Sequence, residues 1–331
     1  MQIGMKLHKV AIPQPPKPAF ERVFKSTVSP REGEVRVQFY IPHRWKRRKE
    51  PNQEKFPVVV NFHGGGFTLG AATDDARWAA CVAKHVGAIV AAVDYRLGPE
   101  DPFPTAVEDG AEAVLYIANH AEELHIDVNK IAISGFSSGG NMAFTVPMRL
   151  RAEMSADFHA EAEKVDHPMK AGASGTGTTT VQPLQNLEIA AIMSWYPSCD
   201  YTITREQRHQ TCLNKKKDLS PMFFNLFDES YIATSGTDLS SPYLSPAVAP
   251  DAMLELLPRE IMLYTCEWCS LRDEGERLAD RLEAIGKKVN CYCMPKVPHG
   301  FDRAPNPLGI SGVKKHYKAA CSELNRVFDS R

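Results

Sequence analysis

Residues 131–139, IAISGFSSG, join a short apolar run to the pentapeptide pattern G-x-S-x-G. The residues that follow, from Asn141 to Phe144, suit a helix, so the sequence predicts a strand, a tight turn and a helix in succession. Glycines on both sides of the turn permit a strained backbone that lifts the Ser137 hydroxyl above the end of the strand. We therefore predict that Ser137 is a catalytic nucleophile.

Further apolar runs lie on both sides of this stretch and alternate with segments of helical period. They are Val58–Phe62, Ala88–Val93, Ile131–Ile133, Ile189–Met193, Ile261–Leu263 and Val289–Met294. Buried parallel strands joined by crossover helices have this pattern. Between the last two runs, Leu278, Leu282 and Ile285 predict a helix that ends before Gly286. The sequence therefore predicts an α/β fold with a mostly parallel central sheet flanked by helices.

The chain of 331 residues is 43% hydrophobic, which is enough to bury one full core. We expect residues 51–331 to form the main domain, preceded by a distinct segment, residues 1–50, that includes the first strand region. Near residues 200–242 the strand pattern stops, and an amphipathic segment places Met222, Phe223, Leu226 and Phe227 on one side. That segment is either a cap inserted over the site or an ordinary packed helix.

The formal net charge of -1 provides no overall field for nucleic acid or an anionic membrane. No apolar run approaches the length of a membrane span, and the N-terminal residues lack the apolar stretch of a signal peptide. We expect the eight cysteines to be reduced thiols. These features predict a cytoplasmic protein without nucleic-acid or membrane partners, and they leave a homodimer open.

Two further motifs belong with Ser137. The loop 63–67, HGGGF, directly follows a predicted strand. Backbone N–H groups of such glycines can approach an oxyanion, and donors of this kind contribute roughly 3 to 4 kcal/mol to acyl transfer. A plain glycine turn explains neither the preceding His63 nor the position after the strand. His299 follows the last apolar run, where the order Ser, acid, His places a general base.

Residues 94–104, DYRLGPEDPFP, complete the set, and together the blocks resemble the hormone-sensitive-lipase-like family of α/β-hydrolase esterases (α/β-hydrolase fold-3 type). The similarity runs from about Val35 to Phe301. It implies an α/β-hydrolase fold whose helical cap is formed by residues 1–50 and about 200–242. It also implies cleavage of a small or medium carboxylic ester through an acyl-enzyme, without a cofactor or a metal. The oxyanion N–H groups would come from Gly65, Gly66 and Ser138.

One position departs from the family. Its acid block, D-P-L-x-D-E-G, reads CSLRDEG at 269–275, so Cys269 stands where the triad aspartate is expected. A triad carboxylate fixes the histidine tautomer, and its replacement by an amide lowers kcat by roughly 10⁴ in a serine protease. Glu267, Asp273 and Asp200 are candidate replacements, although Asp273 is also expected to cap a helix. A Cys269 thiolate could pair with His299 if that pairing ionised it.

This departure leaves two other functions open. The chain could resemble carboxylesterase-like cyclases of specialised metabolism, or gibberellin receptors of plants, which are similar to the same family and have lost catalysis. Retention of Ser137 and His299 argues against both. A metal site formed by Cys266, Cys269, Cys291 and Cys293 is a further interpretation, but C-x-C spacing inside a strand is not the knuckle that zinc favours.

Overall fold

An eight-stranded sheet forms the centre of the computed structural model, which describes residues 14–46, 54–154, 187–232, 236–303 and 312–331. The strands are β1 (Phe20–Lys25), β2 (Glu34–Tyr40), β3 (Phe56–Phe62), β4 (Ile89–Asp94), β5 (Ile126–Phe136), β6 (Ile189–Trp195), β7 (Glu260–Trp268) and β8 (Lys288–Pro298). The helices are α1 (His43–Lys46), α2 (Ala76–His85), α3 (Thr105–Asn119), α4 (Ala121–Leu124), α5 (Ser138–Met154), α6 (Arg205–Thr211), α7 (Pro221–Tyr231), α8 (Asp251–Glu255), α9 (Arg272–Ala284) and α10 (Val313–Asp329).

The strand order is β1-β2-β4-β3-β5-β6-β7-β8. Strands β3 to β8 run parallel to one another, while β2 pairs antiparallel with β4 and β1 antiparallel with β2. All six predicted strands are present, and the predicted α/β class is confirmed. Because side chains alternate across a strand, Val58 and Val60 pack in the core on one face and Val59 in the core on the other.

Strand β8 differs from its prediction as a buried strand. Among the described strands its only neighbour is β7, so it forms an edge of this sheet. Most of its side chains are accordingly accessible, with Cys291, Tyr292 and Cys293 exposed and only Met294 and Val297 buried. An apolar run identifies a strand, but burial on both faces requires neighbours that an edge strand lacks.

The described part of the N-terminal segment, residues 14–46, contributes β1 and β2 to the sheet. The pairing of β2 with β4 joins it to the core. Arg96 adds a further link, since it pairs with Asp109 at 2.7 Å and donates to the carbonyl of Arg31 at 2.9 Å. The Asp109 side chain is fully buried. Strands β1 and β2 therefore belong to the sheet, while residues 1–13 and 47–50 lie outside the described residues.

Helix α7 lies in the segment expected to form a cap, and only part of its predicted apolar side is buried. Met222 and Leu226 are exposed, whereas Phe224, Phe227 and Tyr231 are buried. The rings of Tyr231 and Phe67 stack with centroids 3.9 Å apart, which directs this face of the helix toward the glycine loop. The apolar pattern predicted a helix, and the position of the loop determines which side packs.

Replacement of Tyr231 by alanine tests this assignment of the buried face. Tyr231→Ala should lower the free energy of unfolding by about 3–5 kcal/mol, the range for truncation of a buried aromatic side chain. Met222→Ala, on the exposed side of α7, should change it by less than about 0.5 kcal/mol. Urea denaturation followed by fluorescence measures both, and equal effects would contradict the assignment.

Candidate active site

Ser137 lies in the turn between β5 and α5, as predicted, with a φ angle of 56°. The turn is compact enough to require glycine on both sides. A Cβ atom at Gly135 would lie 2.0 Å from the carbonyl oxygen of Gly139, and one at Gly139 would lie 2.0 Å from that of Phe62. The amide of Ser137 donates to the carbonyl of Trp195 at 2.9 Å, which ties the turn to β6. The geometry is that of a nucleophile elbow.

His299 reaches this serine from the loop after β8. Its Nε2 atom lies 2.9 Å from Ser137 Oγ, within hydrogen-bond distance. Loss of solvation inside the site lowers the pKa of His299 to about 4. The imidazole is therefore neutral at pH 7 and available to accept the serine proton.

Two charged residues, three and four positions after the histidine, hold its loop in place. Asp302 is buried and accepts hydrogen bonds from the hydroxyls of Tyr317, at 2.6 Å, and Tyr196. The Tyr196 ring also packs edge-on against His299, with centroids 4.9 Å apart. The position of the imidazole thus depends on a buried carboxylate that sequence reasoning did not single out.

Arg303 extends this anchor to the segment that directly precedes α2. Its guanidinium pairs with Asp75, whose side chain is 1% exposed, and donates to the carbonyl of Asp74 at 2.9 Å. Asp75 also accepts a hydrogen bond from Asn61 at 2.7 Å. The signal in the sequence was the pair Asp302-Arg303 beside the predicted base, but nothing in it indicated the distant partner.

The predicted oxyanion donors lie around Ser137. A Cβ atom at Gly64 would be 3.2 Å from Ser137 Cβ, so the glycine loop packs directly on the elbow. Gly65 and Gly66 have φ angles of 139° and 64°, and among the described residues no group accepts a hydrogen bond from their amides. Ser138 is the first residue of α5, where the N–H group has no intrahelical partner. These amides are therefore available to an oxyanion.

Cys269 occupies the position of the third triad member. Its Sγ atom lies 3.2 Å from His299 Nδ1 and accepts a hydrogen bond from the amide of Leu271 at 3.4 Å. Burial raises the pKa of the Cys269 thiol well above its ordinary value, so the group is a neutral thiol at pH 7. It can contact the imidazole, but it brings no charge.

The neutral thiol also affects the histidine tautomer. For Ser137 to donate its proton to Nε2, the histidine must carry its own proton on Nδ1. A carboxylate can only accept and so enforces this tautomer, whereas a thiol can also donate to Nδ1 and stabilise the other one. Cys269 therefore positions the ring and selects the tautomer only weakly.

The three carboxylates considered as replacements have other partners. Glu267 accepts from the amide of Lys296 at 2.7 Å, and Asp273 pairs with Arg272 at 2.6 Å. Asp200 is buried and accepts from the amide of Thr202 at 3.1 Å. Of the four candidates for the acid position, the structure brings Cys269 to Nδ1 of His299.

The four cysteines considered as metal ligands do not share one environment. Cys266 and Cys269 are buried, whereas Cys291 and Cys293 are exposed on the edge strand. Within the described residues, no group of three or more His, Cys, Asp or Glu side chains is placed to hold a metal ion.

Comparison with known proteins agrees with this geometry. Residues 59–303 match the family model described as the alpha/beta hydrolase fold. The chain belongs to this α/β-hydrolase family. The match confirms the family predicted from the motifs, since it contains the glycine loop, the elbow and His299.

Two curated relatives and one solved structure show how far the similarity extends. An AB hydrolase superfamily protein of Schizosaccharomyces pombe is 42% identical over 245 residues, covering 74% of this chain and 63% of its own length. Lipase 2 of Moraxella sp. is 28% identical over 271 residues, covering 81% of this chain and 59% of its own. An esterase of Pyrobaculum calidifontis superposes with a TM-score of 0.75 at 25% identity, covering 99% of this chain and 90% of its own. The chain thus spans about six tenths of these two curated relatives.

In this α/β-hydrolase the space above the nucleophile is small. A pocket of about 20 Å³ is lined by Ser137 and His299 from the core and by Phe224 and Phe227 from α7. A cavity of about 390 Å³ lies beside it, and Tyr201 and Arg205 line both. The segment after β6 therefore forms one wall of the catalytic pocket.

Removal of the Arg303 charge tests the anchor of the histidine loop. Arg303→Met should lower the free energy of unfolding by about 3–5 kcal/mol, because it leaves Asp75 as a buried, unpaired charge. Arg326→Met, which removes a more exposed pair with Glu260, should cost about 1 kcal/mol or less. Chemical denaturation at pH 7 compares them, and a small loss for Arg303→Met would show that Asp75 is stabilised by other groups.

Proposed function

We propose that this α/β-hydrolase is a serine hydrolase that cleaves a small or medium carboxylic ester through an acyl-enzyme. The observation that carries the proposal is the 2.9 Å contact between Ser137 Oγ and His299 Nε2 at an elbow flanked by free amides. The names lipase and esterase among its relatives support it. Because the chain spans only part of its curated relatives, the activity is a proposal about this chain.

In the proposed reaction each group has one step. Ser137 Oγ attacks the acyl carbon while His299 Nε2 takes its proton, and the tetrahedral oxyanion accepts hydrogen bonds from the amides of Gly65, Gly66 and Ser138. His299 then gives the proton to the departing alcohol, which leaves the acyl-enzyme. In the second half-reaction a water attacks the acyl carbon with His299 as its base; the bond to Ser137 Oγ then breaks, the carboxylic acid leaves, and His299 returns the proton to Oγ.

The sizes of the two cavities predict which part of the ester each one holds. The pocket at Ser137, about 20 Å³, has room for a small group, and the adjoining 390 Å³ cavity has room for a larger one. We therefore propose that one side of the ester is short and that the other extends past Tyr201 and Arg205. Residues 201–242 then form the cap that limits the substrate.

The two alternative functions are less well supported. Neither a cyclase nor a receptor requires a serine hydroxyl within hydrogen-bond distance of a neutral histidine. Neither requires backbone amides that are available to an oxyanion beside that serine. The neutral Cys269 is the observation that favours them, because it lacks the charge that efficient hydrolysis uses.

Two finer expectations are also proposals. Free thiols at all eight cysteines support a cytoplasmic location. No helix in the described part of the chain is both long and apolar enough to cross a bilayer. The exposed edge strand β8 supports a homodimer, since an open edge can pair with a second copy.

Active-site labelling tests the proposed hydrolase. A fluorophosphonate probe should label the wild type at Ser137, and the protein should hydrolyse p-nitrophenyl acetate and butyrate, whereas Ser137→Ala should do neither. Cys269→Asp should raise kcat about tenfold or more, within the roughly 10⁴-fold effect of a triad carboxylate.

Cys293→Asp is the matched control, since it adds the same charge on the exposed edge strand and should leave kcat unchanged. If only Cys269→Asp labels and turns over, the natural protein has left ester hydrolysis.

The pH profile tests the charge state of the site. Because the pKa of His299 lies near 4, its base form persists at low pH, and kcat/KM should stay level from pH 7 to about 5 and fall below that. Asp218 and Asp302 raise this pKa, while Arg303 and Arg205 lower it. Cys269→Asp should move the acid limb to higher pH, because a carboxylate stabilises the imidazolium.

Rates of ester hydrolysis from pH 3.5 to 8 give the profile for both proteins. A wild-type limb near pH 6.5 would contradict the lowered pKa.

A further inference from the structure

The proposed reaction needs a negative charge near His299, because the imidazole becomes an imidazolium when it takes the serine proton. In the usual triad the acid provides this charge. Cys269 contacts the same nitrogen without supplying it. Any carboxylate that performs this task must therefore act from beside the acid position.

Asp218 lies beside that position. It belongs to the stretch between α6 and α7, on the cap side of the site. Its Oδ1 accepts a hydrogen bond from the amide of Ser270, the residue after Cys269, at 3.2 Å. Its Oδ2 lies 3.0 Å from Nδ1 of His209, and its side chain is 2% exposed. A buried carboxylate from the proposed cap is thus fixed against the segment in which Cys269 replaces the expected acid.

The other charges near His299 are largely compensated. Asp302 lies 3.7 Å from Arg303 and accepts two tyrosine hydroxyls, and Arg205 pairs with Asp228 at 2.7 Å. Within the described residues, Asp218 has no Arg or Lys partner. Of the charged groups around His299, Asp218 has the largest influence and raises the pKa of the imidazole.

We propose that Asp218 supplies, from the cap, the negative charge that the triad has lost at Cys269. This inference rests on the proposed hydrolysis. Asp218 is a positioning residue, since it acts on His299 through its negative electrostatic field. It also acts on the Cys269 loop through its hydrogen bond with the Ser270 amide. Its hydrogen bonds go to Ser270 and His209 rather than to Ser137. The imidazolium is then stabilised by the Cys269 thiol, which contacts it, and by the Asp218 carboxylate, which lies behind the Cys269 segment.

The test is Asp218→Asn in two backgrounds. Asparagine keeps an oxygen acceptor for the Ser270 amide, so the loop contact survives while the charge is lost. In the wild type, Asp218→Asn should lower kcat about tenfold, with little change in KM, and move the acid limb to lower pH. In the Cys269→Asp protein the loss should vanish or reverse, because two neighbouring carboxylates repel.

Asp273→Asn is the matched control. It removes the same charge from a carboxylate paired with Arg272, and we expect a change of less than about twofold. Asp218→Glu, which keeps the charge, should retain most of the wild-type rate. An equal loss from Asp218→Asn in both backgrounds would show a structural role and overturn the inference.

Titration of the His299 imidazole by NMR, assigned with His299→Gln, separates this inference from the hydrolysis itself. Asp218→Asn should lower the pKa of His299 whether or not an ester turns over. If the wild type fails to hydrolyse esters and the pKa still falls, the proposed function fails and the electrostatic role stands. An unchanged pKa overturns the role of Asp218.

Discussion

The close approach of two backbone segments at the carboxyl ends of β3 and β5 is the constraint on which the site depends. The carbonyl oxygen of Phe62 lies 2.0 Å from the position that a Cβ atom of Gly139 would take, and the glycine loop packs directly on Ser137. Parallel neighbours end at the same edge of a sheet, so a loop after one strand and a turn after the next meet there. Ser137 and the proposed oxyanion donors are thus positioned by the same backbone contact.

Features encoded within a few residues could be predicted from the sequence. The central strands, the elbow at Ser137 and the position of His299 all follow from local patterns, and the structure has each of them. The exposure of β8 and the buried side of α7 could not be predicted in this way, because both depend on neighbours distant in sequence. The Arg303–Asp75 pair could not be predicted for the same reason, because its two residues are more than 200 positions apart in the sequence.

At the third position of the proposed triad a carboxylate normally provides both a contact with the histidine and a negative charge. Cys269 keeps the contact with Nδ1 at 3.2 Å, so the orientation of the imidazole survives. It loses the charge, because burial favours the neutral thiol. The motif alone could show that the aspartate was absent. Only the structure shows that the histidine is nevertheless held, through Asp302, Tyr196 and the thiol.

In the proposed enzyme the cap segment is then more than a boundary for the substrate. Phe227 lies against Gly66 on the oxyanion side, and Asp218 contacts the Cys269 segment on the histidine side. Both residues belong to the same stretch of chain around α7. A displacement of this stretch would therefore alter the space over the oxyanion and the field at the imidazole together. In a triad with its own carboxylate the second effect would be small, so the loss of the acid at Cys269 couples the chemistry to the position of the cap.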